Sequence, residues 1–269
     1  MWKNEKKIGF LTFSEDGKTV LRCDEEAAGG IVIPEGVTEI RKYAFYECTA
    51  LKEIVIPGSV TKIGDYAFSG CENLTDIAIP DGITAIGQET FSSCSSLAEI
   101  TIPNSVAAIG NYAFLGCESL VSIVIPENVT NIGNYAFAEC KSLQQVVIPP
   151  KVSCIGKSVF AVCSSLSEVT FPEGLTSIGT GAFRECRNLQ SVQLPRSLCE
   201  IGYGAFVGCS SLTDVTLPDS VTRVRGYAFA GCDNLTDVFV GQHTQFRNDI
   251  FRGSSNVVLH QYPLDGAKN

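Results

Sequence analysis

The chain has 269 residues, of which 45% are hydrophobic and 18% are charged, and its formal net charge is −9. The apolar content suffices for a continuous core, and the negative charge argues against nucleic-acid binding and docking on anionic lipid. No apolar run approaches the length of a membrane span, so we expect no membrane insertion. Residues 1–7, MWKNEKK, are charged and predict no signal peptide, which leaves a cytoplasmic protein or one whose export signal lies outside this sequence.

Residues 1–27 precede the repeats that fill most of the chain and predict an N-terminal cap. The apolar segments 11–13 and 20–22 flank the dipeptide Asp16-Gly17, which is typical of a tight hairpin turn. We therefore expect a β-hairpin that covers the open edge of the first repeat.

Residues 28–234 consist of nine repeats of 23 residues, each with a proline and, 11 residues later, a phenylalanine. The prolines are Pro34, Pro57, Pro80, Pro103, Pro126, Pro149, Pro172, Pro195 and Pro218. The phenylalanines, which we expect to fill the core, are Phe45, Phe68, Phe91, Phe114, Phe137, Phe160, Phe183, Phe206 and Phe229. A period of about 20 to 29 residues is typical of solenoids, in which each short coil buries the face that its neighbour leaves open.

Residues 97–119 illustrate how one repeat forms one coil. The alternation in residues 100–102 predicts a strand whose two isoleucines point inward and whose Thr101 points outward. Residues 106–109 predict a second, shorter extended segment, and residues 111–117 predict one helical or 3₁₀ turn that packs on the core. Because parallel strands joined by a crossover coil right-handed, we expect a right-handed solenoid of α/β repeats with a parallel sheet and about ten coils.

Residues 235–269 depart from the repeat. Gly241 stands where the proline is expected, Ser254 replaces the repeated cysteine, and Phe251 arrives one residue early. We interpret this region as a degenerate tenth repeat, followed by a C-terminal cap and a loose tail after Tyr262.

Three short motifs indicate a family. Residues 77–80 read IAIP, residues 60–64 read VTKIG, and residues 66–71 read YAFSGC. In these motifs, repeated over residues 28–254, the chain resembles the BspA-like, or Treponema pallidum type, leucine-rich repeat proteins. The resemblance implies a leucine-rich-repeat solenoid and a surface protein of a bacterium or protist that binds host or matrix proteins, often as an adhesin.

Nine cysteines recur at the repeat period and invite three interpretations. They are Cys48, Cys71, Cys94, Cys117, Cys140, Cys163, Cys186, Cys209 and Cys232. A single column spaced one coil apart cannot bring four sulfurs to one zinc ion, and a disulfide framework suits a small secreted domain better. We expect small buried core residues, Cys117 and Cys140 among them, whereas Cys154 and Cys199 lie outside the column as candidate exposed thiols.

The sequence offers little for catalysis. Its only histidines are His243 and His260, both in the degenerate C-terminal region, and no common nucleophile, phosphate-binding or metalloprotease motif occurs. We therefore expect no enzyme activity, no cofactor and no metal.

The outward positions of the predicted strands suggest a binding surface. One column is mostly acidic: Glu53, Asp76, Glu99, Ser122, Gln145, Glu168, Ser191, Asp214 and Asp237. In the central coils an uncharged and partly apolar patch interrupts it, between Glu99 and Glu168. The patch consists of Val121, Ser122, Val124, Gln144, Gln145 and Val147. Exposed apolar residues with a polar rim are typical of an interaction site, but strand propensity and solubility explain the same composition.

These patterns favour a non-catalytic recognition scaffold of the adhesin type that binds a protein or glycan along the solvent face of the main sheet. The alternative is an intracellular protein-interaction or assembly module. A partial column of tyrosines beside the predicted turn offers a second candidate edge. It consists of Tyr43, Tyr66, Tyr112, Tyr135 and Tyr227.

Overall fold

The computed structural model describes residues 5–241, 243–247 and 249–261, which form a parallel β-solenoid of about ten turns. The predicted tail after Tyr262 lies outside the described residues. Each coil contributes one short segment to a first sheet, turns at its proline, contributes a shorter segment to a second sheet, and returns through a series of turns.

The solenoid begins with three antiparallel strands, β1 (Lys6–Ile8), β2 (Leu11–Phe13) and β3 (Thr19–Cys23). The predicted hairpin is thus present, with β1 as an additional strand. β3 pairs in parallel with β5 (Glu39–Ile40), so the hairpin extends the second sheet. Leu11, Phe13 and Val20 point into the core and close its first coil.

The first sheet is the longer-stranded one. Its strands are β4 (Gly29–Val32), β6 (Leu51–Val55), β8 (Asp76–Ile77), β12 (Gln145–Val147), β14 (Glu168–Thr170), β16 (Ser191–Val192), β18 (Asp214–Thr216), β20 (Asp237–Val240) and β22 (Val258–Gln261). They pair in parallel in three groups, β4-β6-β8, β12-β14 and β16-β18-β20-β22. Single bridges join Ala78 to Thr101 and Ser122 to Gln145.

The predicted strand at residues 100–102 has the predicted alternation, with Ile100 and Ile102 buried and Thr101 exposed. Its pairing is reduced to the one bridge through Thr101. The proline that follows in every regular coil has no amide hydrogen to donate, which keeps the strands of the first sheet short.

The second sheet has a two-residue strand in every coil. After β5 these are β7 (Lys62–Ile63), β9 (Ala85–Ile86), β10 (Ala108–Ile109), β11 (Asn131–Ile132), β13 (Cys154–Ile155), β15 (Ser177–Ile178), β17 (Glu200–Ile201), β19 (Arg223–Val224) and β21 (Gln245–Phe246). In each strand up to β19 the second residue is buried, as the repeat predicts.

The predicted helical or 3₁₀ turns are not confirmed, because the described residues contain no helix. In residues 111–117 the amides of Tyr112, Phe114 and Gly116 donate to carbonyls of the next coil at 2.8–2.9 Å. Tyr112 and Gly116 also have φ angles of 57° and 70°. A right-handed helix needs negative φ and bonds along its own axis, so the segment forms successive turns that stack between coils.

The predicted core residues are all buried. From Phe45 to Phe229 the rings stack face to face, with centroids 5.0–5.5 Å apart and planes within 17° of parallel. Phe251 continues the stack at 6.0 Å despite its shorter spacing. From Cys71 to Cys232 each thiol of the column donates to the carbonyl of a core phenylalanine at 3.1–3.3 Å, as Cys117 does to Phe91.

Candidate functional site

The outward side of the first sheet, which we name the sheet face, has a defined register. Ser122 lies opposite Gln145, and Gln145 lies opposite Glu168. The next outward position pairs Val147 with Thr170. Because one residue of slip would turn these side chains into the core, the buried Val146 and Val169 between them fix which residues face solvent.

The six residues of the predicted patch lie together on the central coils, and we name them the central patch. They are Val121, Ser122, Val124, Gln144, Gln145 and Val147, and all are exposed. Val124 is 81% exposed and Val147 is 62% exposed. Backbone bonds from Gln144 to Val121 and from Ser167 to Gln144, at 3.1 and 2.9 Å, tie this part of the surface to its neighbours.

Carboxylates flank the central patch on both sides. Glu99 and Glu168 are exposed on the adjoining coils. Farther toward the N-terminus, Glu53 lies opposite Asp76, and toward the C-terminus, Asp214 lies opposite Asp237. Neighbouring carboxylates in register repel each other, so the sheet face presents negative potential around an uncharged centre.

A histidine completes the C-terminal end of the sheet face. Nε2 of His260 lies 2.7 Å from Oδ1 of Asp237, and the His260 ring stacks on Phe239 at 4.7 Å. Hydrogen bonds from Thr236 and from His260 lower the pKa of the Asp237 carboxyl. In the sequence His260 belongs to the degenerate C-terminal region, and its 23-residue distance from Asp237 is the signal that predicts this pairing.

The tyrosines form close pairs and no continuous edge. Tyr43 lies 4.8 Å from Tyr66, and Tyr112 lies 4.9 Å from Tyr135. Glu89 stands between the two pairs in the column and separates them. Lysines lie over the rings in both pairs, and such cation–π contacts stabilise the turn region between coils.

A protein-family model for the BspA type leucine-rich repeat region matches residues 25–144 and 130–258, with six copies of the repeat. The chain belongs to this family. BspA-type repeats are leucine-rich repeats, which generally act as protein-interaction scaffolds and are typically non-catalytic. Among curated proteins, none matches the sequence significantly.

Solved structures agree with the membership in the BspA-type family. The T. pallidum leucine-rich repeat protein is 32% identical over 78% of this chain and 91% of its own, with a TM-score of 0.59. A leucine-rich cell surface protein from Faecalibacterium prausnitzii is 26% identical over 96% of this chain and 95% of its own, with a TM-score of 0.53. The pneumococcal vaccine antigen PcpA, at 18% identity, covers 97% of this chain and 83% of its own with a TM-score of 0.62 and shares the fold.

The cysteine column of this BspA-type chain is structural. All nine of its thiols are free and buried, as the sequence predicts for core residues. Loss of hydration raises the pKa of Cys117 and of Cys163 to about 12, so these thiols stay protonated at neutral pH. Cys154 and Cys199 are exposed, as expected from their positions outside the column.

The described residues contain neither a metal-binding cluster nor a membrane-spanning helix. No group of three or more histidine, cysteine, aspartate or glutamate side chains there is arranged to hold a metal ion. Nor does this part of the chain contain a helix long and apolar enough to span a membrane.

Proposed function

We propose that this BspA-type solenoid is a non-catalytic recognition scaffold that binds a protein or a glycan along the sheet face. The observation that carries the proposal is the central patch, where Val124 and Val147 are exposed on adjacent coils of the sheet face. An uncharged apolar centre with a charged rim matches the anatomy of a protein interface.

The physical chemistry of the patch suits a broad, shallow contact. Complete burial of a valine side chain stabilises a complex by roughly 1.5–3 kcal/mol, so Val124 and Val147 offer a modest anchor. Glu99 and Glu168, at the rim, would attract a partner with basic groups and accelerate its approach at low salt. Affinity would therefore come from many contacts along the array rather than from one deep pocket.

An adhesin role at a cell surface is the more specific part of the proposal. It is supported by the similarity to the F. prausnitzii protein, which is described as a cell surface protein. In the alternative, the same sheet face would bind an intracellular partner in an assembly. Both versions use the central patch, and they differ in which partner it recognises.

Binding to a panel of host matrix proteins and glycans, measured by biolayer interferometry, tests the proposal. The Val124→Glu, Val147→Glu double variant places two charges in the central patch and should weaken saturable binding at least about tenfold, because each glutamate loses hydration in the contact. The matched control is the Val32→Glu, Val55→Glu double variant. These two valines are paired in register in the first coils and are 69% and 57% exposed.

Binding that is retained in the control and lost in the central-patch variant supports the proposal. Equal binding by both variants would contradict a site on the central patch and direct the search to the tyrosine pairs. If no surface or matrix component binds at micromolar concentration, the adhesin version fails and the intracellular alternative takes its place.

A further inference from the structure

A groove lies at the C-terminal end of the second sheet, on a different face from the central patch. It has a volume of about 710 Å³ and is lined chiefly by Tyr203, Arg223, Arg225, Tyr227, Phe246 and Arg247. This volume lies within the range of about 300–1,000 Å³ that is usual for ligand sites. The groove lies along the strands β19 and β21 and reaches Tyr203, which follows β17. The register of these three strands sets Glu200 beside Arg223 and Arg223 beside Gln245.

Two of these arginines occupy a position that is glycine in most coils. The position after each second-sheet strand is glycine in seven successive coils, from Gly64 to Gly202. A Cβ on Gly202 would lie 2.6 Å from the backbone of Gly179, so the coils stack too closely there for a side chain. Arg225 takes this position in the next coil, and its amide makes the equivalent bond, to the carbonyl of Ile201 at 2.9 Å. Arg247 follows β21 in the same way.

The charges in the groove do not balance. Arg225 and Arg223 share the carboxylate of Glu200, at 2.8 and 3.4 Å, and Arg247 approaches Asp249 at 3.6 Å. Three guanidinium groups thus share two carboxylates, which leaves one positive charge in a chain of net charge −9. One spare charge in an acidic protein suits a ligand with single, separated negative charges better than a polyanion such as nucleic acid.

Aromatic rings stand beside these guanidinium groups. Tyr203 is 54% exposed, and its ring lies 5.3 Å from that of Tyr227 at an angle of 53°. Arg252 donates to the Tyr227 hydroxyl at 3.0 Å and lies over its ring, which holds that tyrosine in place. Flat ring faces pack against apolar C–H surfaces, and the planar guanidinium fork binds a carboxylate through two hydrogen bonds.

We propose that this groove binds a saccharide that carries a carboxylate, such as a hexuronic or sialic acid residue. The sugar ring packs against Tyr203 and Phe246, and the carboxylate pairs with Arg247, whose contact to Asp249 is the longest of the three ion pairs. This site is separate from the central patch, and its ligand is recognised independently of the partner proposed for the sheet face.

Isothermal titration calorimetry with matched ligands tests the assignment. Trigalacturonate is compared with its methyl ester, and sialyllactose with lactose, so that each pair differs only in the acidic group or acidic sugar. We expect one of the two acidic saccharides to bind at least about tenfold more tightly than its neutral counterpart. A difference of this size is usual for a hydrogen bond to a charged group. Which pair responds distinguishes a uronic from a sialic acid.

Variants of groove residues test whether the saccharide binds in this groove. Arg247→Gln and Tyr203→Ala should each weaken binding of the acidic saccharide about tenfold. Because there are two variants, the test stays valid if one of them fails to fold. Arg187→Gln is the matched control, since Arg187 is an exposed arginine paired with Glu185 outside the groove. The Val124→Glu, Val147→Glu variant should bind the saccharide like the unmodified protein, which separates this proposal from the sheet-face proposal.

Three results would overturn the proposal. The first is no binding of either acidic saccharide at millimolar concentration. The second is equal or tighter binding of heparin or of a glutamate tetrapeptide, which would assign the groove to polyanions or acidic peptides. The third is an equal loss of affinity in Arg187→Gln and Arg247→Gln.

Discussion

At the residue scale, two side chains of each repeat hold successive coils together. The ring of Phe137 lies between those of Phe114 and Phe160, at 5.2 and 5.5 Å. The thiol of Cys140 donates to the carbonyl of Phe114 at 3.3 Å. In the last coil the hydroxyl of Ser254 donates to the carbonyl of Phe229 at 3.0 Å, so a hydroxyl can take the role of the thiol.

The phenylalanine stack predicts a large effect of truncation. Phe137→Ala should lower the free energy of unfolding by roughly 3–5 kcal/mol, because it leaves a cavity in a central coil and interrupts the stack. Thr101→Ala, at an exposed position of the first sheet, should change it by less than about 0.5 kcal/mol. Urea unfolding followed by circular dichroism measures both, and comparable losses would show that the assigned inward and outward positions are wrong.

The buried thiols predict a loss of stability in alkaline solution. The pKa of Cys117 is raised from 9.0 to about 12, so the folded protein keeps a proton that the unfolded chain releases between these values. This contribution to stability is therefore complete below pH 9 and declines as the pH rises toward 12. Cys117→Ser removes this ionisable group. The free energy of unfolding should then fall less steeply with pH, by about 1.4 kcal/mol per pH unit. An unchanged slope in urea titrations between pH 9 and 11 would contradict the assignment.

At the element scale, the turn between the second and first sheets depends on backbone conformations that favour glycine. In one column of this turn Glu47, Ser93 and Glu139 have positive φ angles, while Gly70 and Gly116 occupy the same position in other coils. Residues other than glycine pay a conformational cost there, which the bonds between coils offset.

Val162 carries the highest cost in this column, because it is β-branched and has a φ angle of 63°. Val162→Gly should raise the free energy of unfolding by roughly 1 kcal/mol. The relief of backbone strain in the folded state exceeds the effect of the higher conformational entropy that glycine gives the unfolded chain. The neighbouring Ala161→Gly, at a buried position without positive φ, should be destabilising instead. Thermal unfolding of the two variants tests both expectations. A lower Tm for Val162→Gly than for the unmodified protein would contradict the interpretation of the turn.

The same turn marks the limit of what the sequence predicts about the fold. Apolar alternation in residues 100–102 and the regular phenylalanines specify which side chains point inward, since burial drives both patterns. For this turn the sequence predicts one helical or 3₁₀ turn that places Ala113, Phe114 and Cys117 on the core. Apart from the glycines, its positive φ angles occur at tyrosine, glutamate, serine and valine, which do not signal such a conformation in a sequence.

At the scale of the whole molecule, the solenoid separates two surfaces of different chemistry. The sheet face carries exposed carboxylates around the central patch, whereas the C-terminal end of the second sheet gathers Arg223, Arg225 and Arg247. The repeat period predicts the sheet face, because its columns can be read at fixed intervals. The groove of the second sheet forms where Arg225 and Arg247, which depart from the repeat, lie beside Arg223, so only the structure reveals it.

Carbodiimide footprinting of carboxylates tests whether a partner binds at the central patch. The free protein and its complex with the partner from the binding panel are labelled, and each modified carboxylate is quantified by mass spectrometry. We expect the partner to protect Glu99 and Glu168, which adjoin the patch, and to leave Asp249, in the groove of the second sheet, unchanged. Protection of Asp249 or of Glu89 near the tyrosines, with Glu99 and Glu168 fully labelled, would contradict it.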